Sequence, residues 1–375
     1  MGFFRKKVIT FFMNERCNMM CIYCTIHAED KKNKDKDRSK VIDLDFAKCG
    51  IDDYFSNGFF APDEKKGIRI FANGEPTLEF ERMAEIVAYA HQKAGNNLFV
   101  EMQTNGLFKE EIAHWIKENV DLVWFSLDGL EDLQNMQRPT QTGEPSFAAI
   151  DRNIKIVSTS TRTKIGLRPT ISDYNIDRQI QLIDYALENG IAAVCADPWG
   201  NMVKKKKGQP ELKQFADKFL EAWKYAREKN FFYGTEFTVN FDEEVEIYCR
   251  SCLPAPQFTP DGYVSSCDMV NNKEGFLPNF FPELIFGYYN KEEKKIEYNQ
   301  EHLEKIKSRN IYNLKDCQGC EALKHCAGGC IGIAIASSLD FYGKNNDYCA
   351  ITKYLFKRMP ELINTGYNPD IPIHP

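Results

Sequence analysis

No stretch of this 375-residue chain is apolar for long enough to cross a bilayer as a helix, which excludes a helical integral membrane protein. The opening Met-Gly-Phe-Phe-Arg-Lys-Lys has neither the apolar core nor the cleavage site of an export signal, so the expected location is the cytoplasm. Basic charge is not in excess either. The chain has 48 Lys and Arg against 54 Asp and Glu, a net charge of −6, which offers no broad surface to nucleic acid. The single basic run, Lys204 to Lys207, sits beside Gly208 and Pro210 and reads as a solvated loop. There is no fixed-period repeat and no low-complexity tract. What is left is an ordinary globular composition, 43% hydrophobic and 27% charged, long enough for two or three domains.

Cysteine is the exception, with thirteen in the chain. They fall in short clusters rather than spread out to staple loops, which favours metal binding in a reducing, low-oxygen setting over disulfides. The first cluster is Cys17, Cys21 and Cys24, in Cys-Asn-Met-Met-Cys-Ile-Tyr-Cys. Three thiolates on one tight loop can hold three irons of a [4Fe–4S] cubane. Such clusters normally take four cysteines, so this spacing leaves one iron open to a small molecule. The C-x3-C-x2-C loop, with an aromatic before its last cysteine, resembles the radical S-adenosylmethionine (SAM) enzymes. The resemblance implies that the open iron chelates SAM and that reduction releases a 5′-deoxyadenosyl radical.

The elements around the loop read as α/β. Residues 7–14 are an apolar β-rich run, and 31–39 are an exposed charged loop. Helical character at 43–57, Phe80–Lys93, Lys109–Glu118, Phe147–Ser158 and Arg178–Gly190 alternates with strands at 67–72, Leu98–Gln103, Leu122–Leu127, Lys164–Arg168 and Ile191–Ala196. Six strands joined by helices predict a parallel sheet, matching the partial (β/α)6 barrel of the resembled family. Chemistry in such barrels gathers at the C-terminal strand ends, and the cysteine loop follows the first strand. Beyond about residue 240 the alternation fades. The expected division is 1–240, including a bridging helix at about 211–229, and 241–375.

Further motifs follow the strands. Ala72-Asn73-Gly74-Glu75-Pro76-Thr77 is similar to the family's Gly-Gly-Glu-Pro turn, with Asn73 in place of the first glycine. Backbone carbonyls and a carboxylate there suit an ammonium group as acceptors. By the same resemblance Ser126 contacts SAM and Arg138 stands near its carboxylate, a bidentate pairing. The Gln103-Thr104-Asn105-Gly106 turn is expected to line the cavity.

In the last third come Cys252, Gly262, Cys267, Cys317, Cys320, Cys326, Cys330 and Cys349. This seven-cysteine pattern resembles the SPASM domain of peptide and protein maturases, which holds two auxiliary [4Fe–4S] clusters. Two fully ligated cubanes need eight thiolates, and Cys249 supplies the eighth. By the resemblance, the first cluster takes Cys249, Cys252, Cys267 and Cys330, and the second takes Cys317, Cys320, Cys326 and Cys349. Paired C-x2-C elements also bind zinc, which stays an alternative. Cys49 and Cys195 match no motif and read as small buried hydrophobes.

Asp268, directly after Cys267, stands where sulfatase-maturing members carry a base; a turn or cluster-supporting role is the alternative. His27 and Tyr23 are further candidates to face substrate. The resemblance covers residues 8–355. It implies three [4Fe–4S] clusters, SAM, a flavodoxin- or ferredoxin-type electron donor, and hydrogen-atom abstraction. The expected substrate is a peptide or protein, undergoing oxidation, cross-linking or thioether formation; the alternative is dehydrogenation or epimerisation of a small metabolite. With the cysteine loop beginning at residue 17, there is no room for the leader-recognition domain of many peptide-modifying relatives, so a separate leader-binding protein is one expected partner. Sulfatase maturases carry Gln before their two glycines, where this chain has Ala72, a departure from the pattern of that activity.

Overall fold

The structure is a computed structural model that describes residues 6–24, 38–200 and 207–365. His27, most of the 31–39 loop and Lys204 to Lys206 lie outside them.

Six βα units build the first part. The strands are β1 (Ile9–Phe12), β2 (Lys66–Phe71), β3 (Leu98–Thr104), β4 (Leu122–Phe125), β5 (Lys164–Leu167), β6 (Thr170–Ile171), β7 (Ala193–Cys195), β8 (Asp197–Pro198) and β9 (Phe232–Gly234). Strands β1, β2, β3, β4, β5, β7 and β9 pair in that order, all parallel, while β6 and β8 form a small separate pair beyond β5 and β7. The helices are α1 (Leu44–Ser56), α2 (Phe80–Ala94), α3 (Glu110–Asn119), α4 (Glu131–Gln137), α5 (Phe147–Ser158), α6 (Gln179–Glu188) and α7 (Leu212–Glu228). The expected helices and strands fall within two or three residues of these bounds. The short helix α4 and strands β6, β8 and β9 are additions.

Alternation along each strand separates two layers. Ile68, Ile70, Val100, Met102, Val123, Phe125, Ile165 and Leu167 face the helices and join the main core. Phe99, Leu122, Trp124, Ala193 and Cys195 face the other way and pack together as the barrel interior. Gly166 is required there: a Cβ on it would come 2.3 Å from the Trp124 ring. Cys195 is a buried member of this interior, as expected; Cys49 is only half-buried.

The division near residue 240 separates the βα repeat from the cysteine-rich part, but the sheet runs across it. Strand β10 (Gln257–Phe258) pairs in parallel with β1, and β11 (Tyr263–Ser265), β12 (Ile285–Asn290) and β13 (Lys295–Tyr298) continue antiparallel to give eleven strands. Phe258 locks the join. Its ring stacks on Phe11 at 5.1 Å and meets Phe46 edge-on at 5.2 Å.

Candidate active site

One cavity, with about 1100 Å³ of empty space, opens at the C-terminal ends of the parallel strands. The predicted residues Cys17, Cys21, Cys24, Asn73, Gly74, Glu75, Ser126 and Arg138 all line it. So do Ala72, Gln103, Thr104 and Asn105.

Glu75 is the keystone of the rim. It is 1% exposed. Its Oε1 accepts from Thr77 N at 3.1 Å, Thr77 Oγ1 at 2.7 Å and Thr104 Oγ1 at 2.7 Å, and its Oε2 accepts from Asn105 N at 2.7 Å. Burial pushes the carboxyl pKa up against these four donors. Asn105 in turn donates to Asn18 Oδ1 at 2.7 Å and approaches the Cys17 sulfur at 3.7 Å. One carboxylate therefore ties the end of β2 to the end of β3 and, through Asn105, to the cysteine loop. Gly74 lies against the same loop, and a Cβ there would fall 1.8 Å from the Arg16 carbonyl oxygen. The carbonyls of Asn73 and Gly74 take no backbone hydrogen bond among the described residues. With the Glu75 oxygens engaged, these carbonyls are the turn's free acceptors for an ammonium group.

The opposite wall is a buried polar triad that the sequence did not reveal. Tyr23 donates to Asp128 Oδ2 at 2.6 Å, Arg138 Nη1 donates to the Tyr23 oxygen at 2.6 Å, and Arg138 stands 3.9 Å from Asp128 Oδ1. The Tyr23 hydroxyl is thus committed to the wall. Burial lowers the Arg138 pKa, but Cys21, Tyr23 and Asp128 outweigh it and keep the guanidinium charged. Its Nε is buried without a partner. A cationic N–H awaiting an acceptor, free carbonyls, and three thiols on one loop fit an amino acid-like ligand held beside a cluster. Burial pushes the Cys17 thiol up to about 11 and the Cys21 thiol up to about 12, so cluster assembly must displace their protons. Trp199, Thr170 and Gly200 complete the lining and were also missed. Their signal was the Pro198-Trp199-Gly200 turn just beyond a predicted strand.

Asp268 does not line this cavity. It lies in the cysteine-rich part, held by Arg69 Nη2 at 2.7 Å and Gln257 Nε2 at 2.7 Å. Burial would raise its pKa, but Arg69, Arg250 and Gln257 prevail and hold it below the usual carboxylate range. Gln257, Thr10, Arg69 and Glu101 stand side by side on β10, β1, β2 and β3 and are all buried, forming a polar layer across the barrel interior. Arg69 precedes the cavity-lining Phe71 by two residues, about 7 Å along the strand. Asp268 is therefore anchored to the polar layer through Arg69, with its side chain 46% exposed.

All thirteen cysteines are free thiols. Among the described residues no three His, Cys, Asp or Glu side chains close on a single metal ion. Cys317, Cys320, Cys326, Cys330 and Cys349 instead line a second cavity with about 700 Å³ of empty space. Cys249, Cys252, Cys267 and Cys330 form the other group: Cys252 feels the charge of Cys249 and Cys267, and Cys330 that of Cys267 and Cys249. Glu236 lines the second cavity. Burial and the neighbouring Asp197 push its carboxyl up to about 8, while Arg168 pulls it down.

The family profile described as "Radical SAM superfamily" matches residues 12–197. The chain carries a radical SAM domain. An uncharacterised protein of Methanocaldococcus jannaschii is 31% identical over 210 residues, 54% of this chain and 66% of that relative. The Fe-coproporphyrin III synthase of Methanosarcina barkeri is 28% identical over 235 residues, 60% of this chain and 54% of the synthase. Both matches thus cover under two thirds of the relative. The cysteine-type anaerobic sulfatase-maturating enzyme of Clostridium perfringens is 25% identical over 378 residues, 94% of this chain and 96% of that enzyme. Among solved structures, native anSMEcpe with bound AdoMet superposes with a TM-score of 0.71 at 16% identity, covering 96% of this chain and 99% of that one. Streptococcus suis SuiB bound to its precursor peptide SuiA superposes at 0.63 with 15% identity, covering 93% and 76%. The fold is that of the radical SAM/SPASM structures, and by sequence the chain is similar over 94% of its length to the sulfatase-maturating enzyme. The radical SAM domain implies a [4Fe–4S] cluster and SAM. No helix among the described residues is long and apolar enough to cross a membrane.

Proposed function

We propose that this enzyme modifies a peptide or protein substrate by removing a hydrogen atom and then an electron and a proton, forming an oxidised residue, a cross-link or a thioether. The reading rests on one observation: the matches that run the length of the chain are to peptide and protein modifiers, whereas the small-molecule enzyme matches only 60% of it. When bound at Cys17, Cys21 and Cys24, a cluster with SAM supplies the hydrogen abstraction. The chain's own residues do the rest. The carbonyls of Asn73 and Gly74 accept from the SAM ammonium, Arg138 takes its carboxylate, and Ser126 lies alongside. Asp268, held ionised by Arg69, accepts the substrate proton. The eight cysteines from Cys249 to Cys349 would hold auxiliary clusters, which would supply an acceptor for the electron, and a flavodoxin- or ferredoxin-type protein would supply electrons to the first cluster. A separate protein presents the leader if the substrate has one.

The test is anaerobic incubation of the iron-loaded enzyme with SAM, reductant and peptides encoded beside its gene, read by mass spectrometry. A peptide lighter by two hydrogen atoms supports the proposal. Turnover that depends on a small metabolite and on no peptide would overturn it. In the same assay Asp268→Asn should lower product roughly 10²-fold, the usual contribution of a positioned base, while deoxyadenosine formation and iron content persist. Normal product from that variant removes Asp268 from the catalytic residues, and loss of iron makes it structural.

A further inference from the structure

Arg309 is one of the largest fully buried side chains in the protein, 2% exposed. It follows the helix Gln300–Lys307, and its guanidinium donates to the carbonyl of Phe341 and, at 3.0 Å, to that of Gly343. Carbonyls satisfy hydrogen bonds but do not neutralise charge. The groups that act on it most strongly are all cysteines: Cys252, Cys330, Cys317 and Cys249. Three of these belong to the first auxiliary group and one to the second. The Gly328 turn, between Cys326 and Cys330, packs against the same guanidinium: a Cβ on Gly328 would lie 3.5 Å from Arg309 Nη2.

A buried cation is costly unless an anion stands beside it. Neutral thiols provide none. Four thiolates around a cubane core of charge +2 leave a net −2, and reduction makes it −3. We propose that Arg309 is the countercation shared by both auxiliary sites, fixing their relative position and raising both reduction potentials so that they can take the substrate's electron. The proposal rests on the reading of the eight cysteines as two cluster sites. Net charge near a cluster is one of the terms that sets its potential.

The test uses full-length protein carrying Arg309→Gln, which keeps a donor for the carbonyls but drops the charge, and Arg309→Lys, which keeps the charge. Redox titration followed by electron paramagnetic resonance reads the clusters directly. In the Gln variant the reduced-to-oxidised ratio of the auxiliary clusters at a fixed potential should fall about tenfold, equivalent to about 59 mV for a one-electron couple. The Lys variant should stay close to wild type, and the Cys17–Cys21–Cys24 cluster should not move in either. Thermal melting adds a readout that needs no cluster. The cluster-free Gln variant should be at least as stable as cluster-free wild type, because an uncompensated buried charge has gone, whereas the iron-loaded Gln variant should melt below loaded wild type. Unchanged auxiliary potentials in the Gln variant would overturn the proposal, as would equal destabilisation of its loaded and cluster-free forms. Should the Gln variant not take up iron, a Lys variant with lowered auxiliary potentials would overturn it equally. Wild-type protein holding only about four irons would instead overturn the underlying two-site reading.

Discussion

The two cysteine regions are built on opposite plans. In the first, three thiols come from eight consecutive residues and sit half-buried at the rim of a cavity whose other walls are polar and only partly satisfied. In the second, eight thiols are gathered from residues 249–349, and those of Cys249, Cys252 and Cys267 are at most 9% exposed. Local spacing pre-arranges the first site and leaves donors and acceptors over for a small ligand. The second site exists only once distant segments have folded together, and the buried Arg309 guanidinium near it is held by backbone carbonyls. A loop built to share its cluster with a substrate can be compact and open. A site assembled from distant segments must be closed by the fold.

The sharpest way to break that comparison is to remove one region's thiols and watch the other. Changing Cys17, Cys21 and Cys24 together to Ala should abolish SAM cleavage and lower the iron content from about twelve to about eight per chain. Iron analysis and deoxyadenosine assays check it. If iron falls to zero, the two regions are not independent.

Glu75→Gln probes the polar rim. The amide would turn an N–H toward backbone or hydroxyl donors that now meet an oxygen, a mismatch of about 1–3 kcal/mol. SAM affinity should fall about tenfold by calorimetry with iron content unchanged. Unaltered affinity would separate the rim from the ligand.

The last prediction concerns pH. Folded Glu236 keeps its proton up to about pH 8, whereas its ordinary value is 4.5. Between those values the folded state binds the extra proton, so this group's contribution falls as pH rises and levels off above about 8. Glu236→Gln should remove that slope, gaining about 2–4 kcal/mol over wild type at pH 9 and little at pH 4 in paired melting curves. Parallel pH profiles would show that the carboxyl is not held up.

Much of this was legible from residue order. Periodicity located the six βα units, and motif spacing after each strand located Cys17, Glu75, Ser126 and Arg138 around one cavity. The role of Glu75 was not legible: four donors from three residues occupy a carboxylate that spacing alone presents as open. Nor was the Tyr23–Asp128–Arg138 wall, since Asp128 reads as a turn residue until the loop and the strand end meet across about a hundred positions. Arg309 gave no signal at all. Its partners are carbonyls and thiols from distant segments, and no local pattern marks a cation for burial.

The pairing of β1 with β10 has a consequence during synthesis. Thr10 and Phe11 wait for Gln257 and Phe258, roughly 250 residues later, or about 12–50 s at ordinary elongation rates. Throughout that interval the nascent chain presents Ile9–Phe12, apolar but for Thr10, as an open edge on which another chain can dock. The cysteine-rich part is thus the barrel's edge guard. A gene cut at residue 240 should yield aggregates rather than a smaller enzyme.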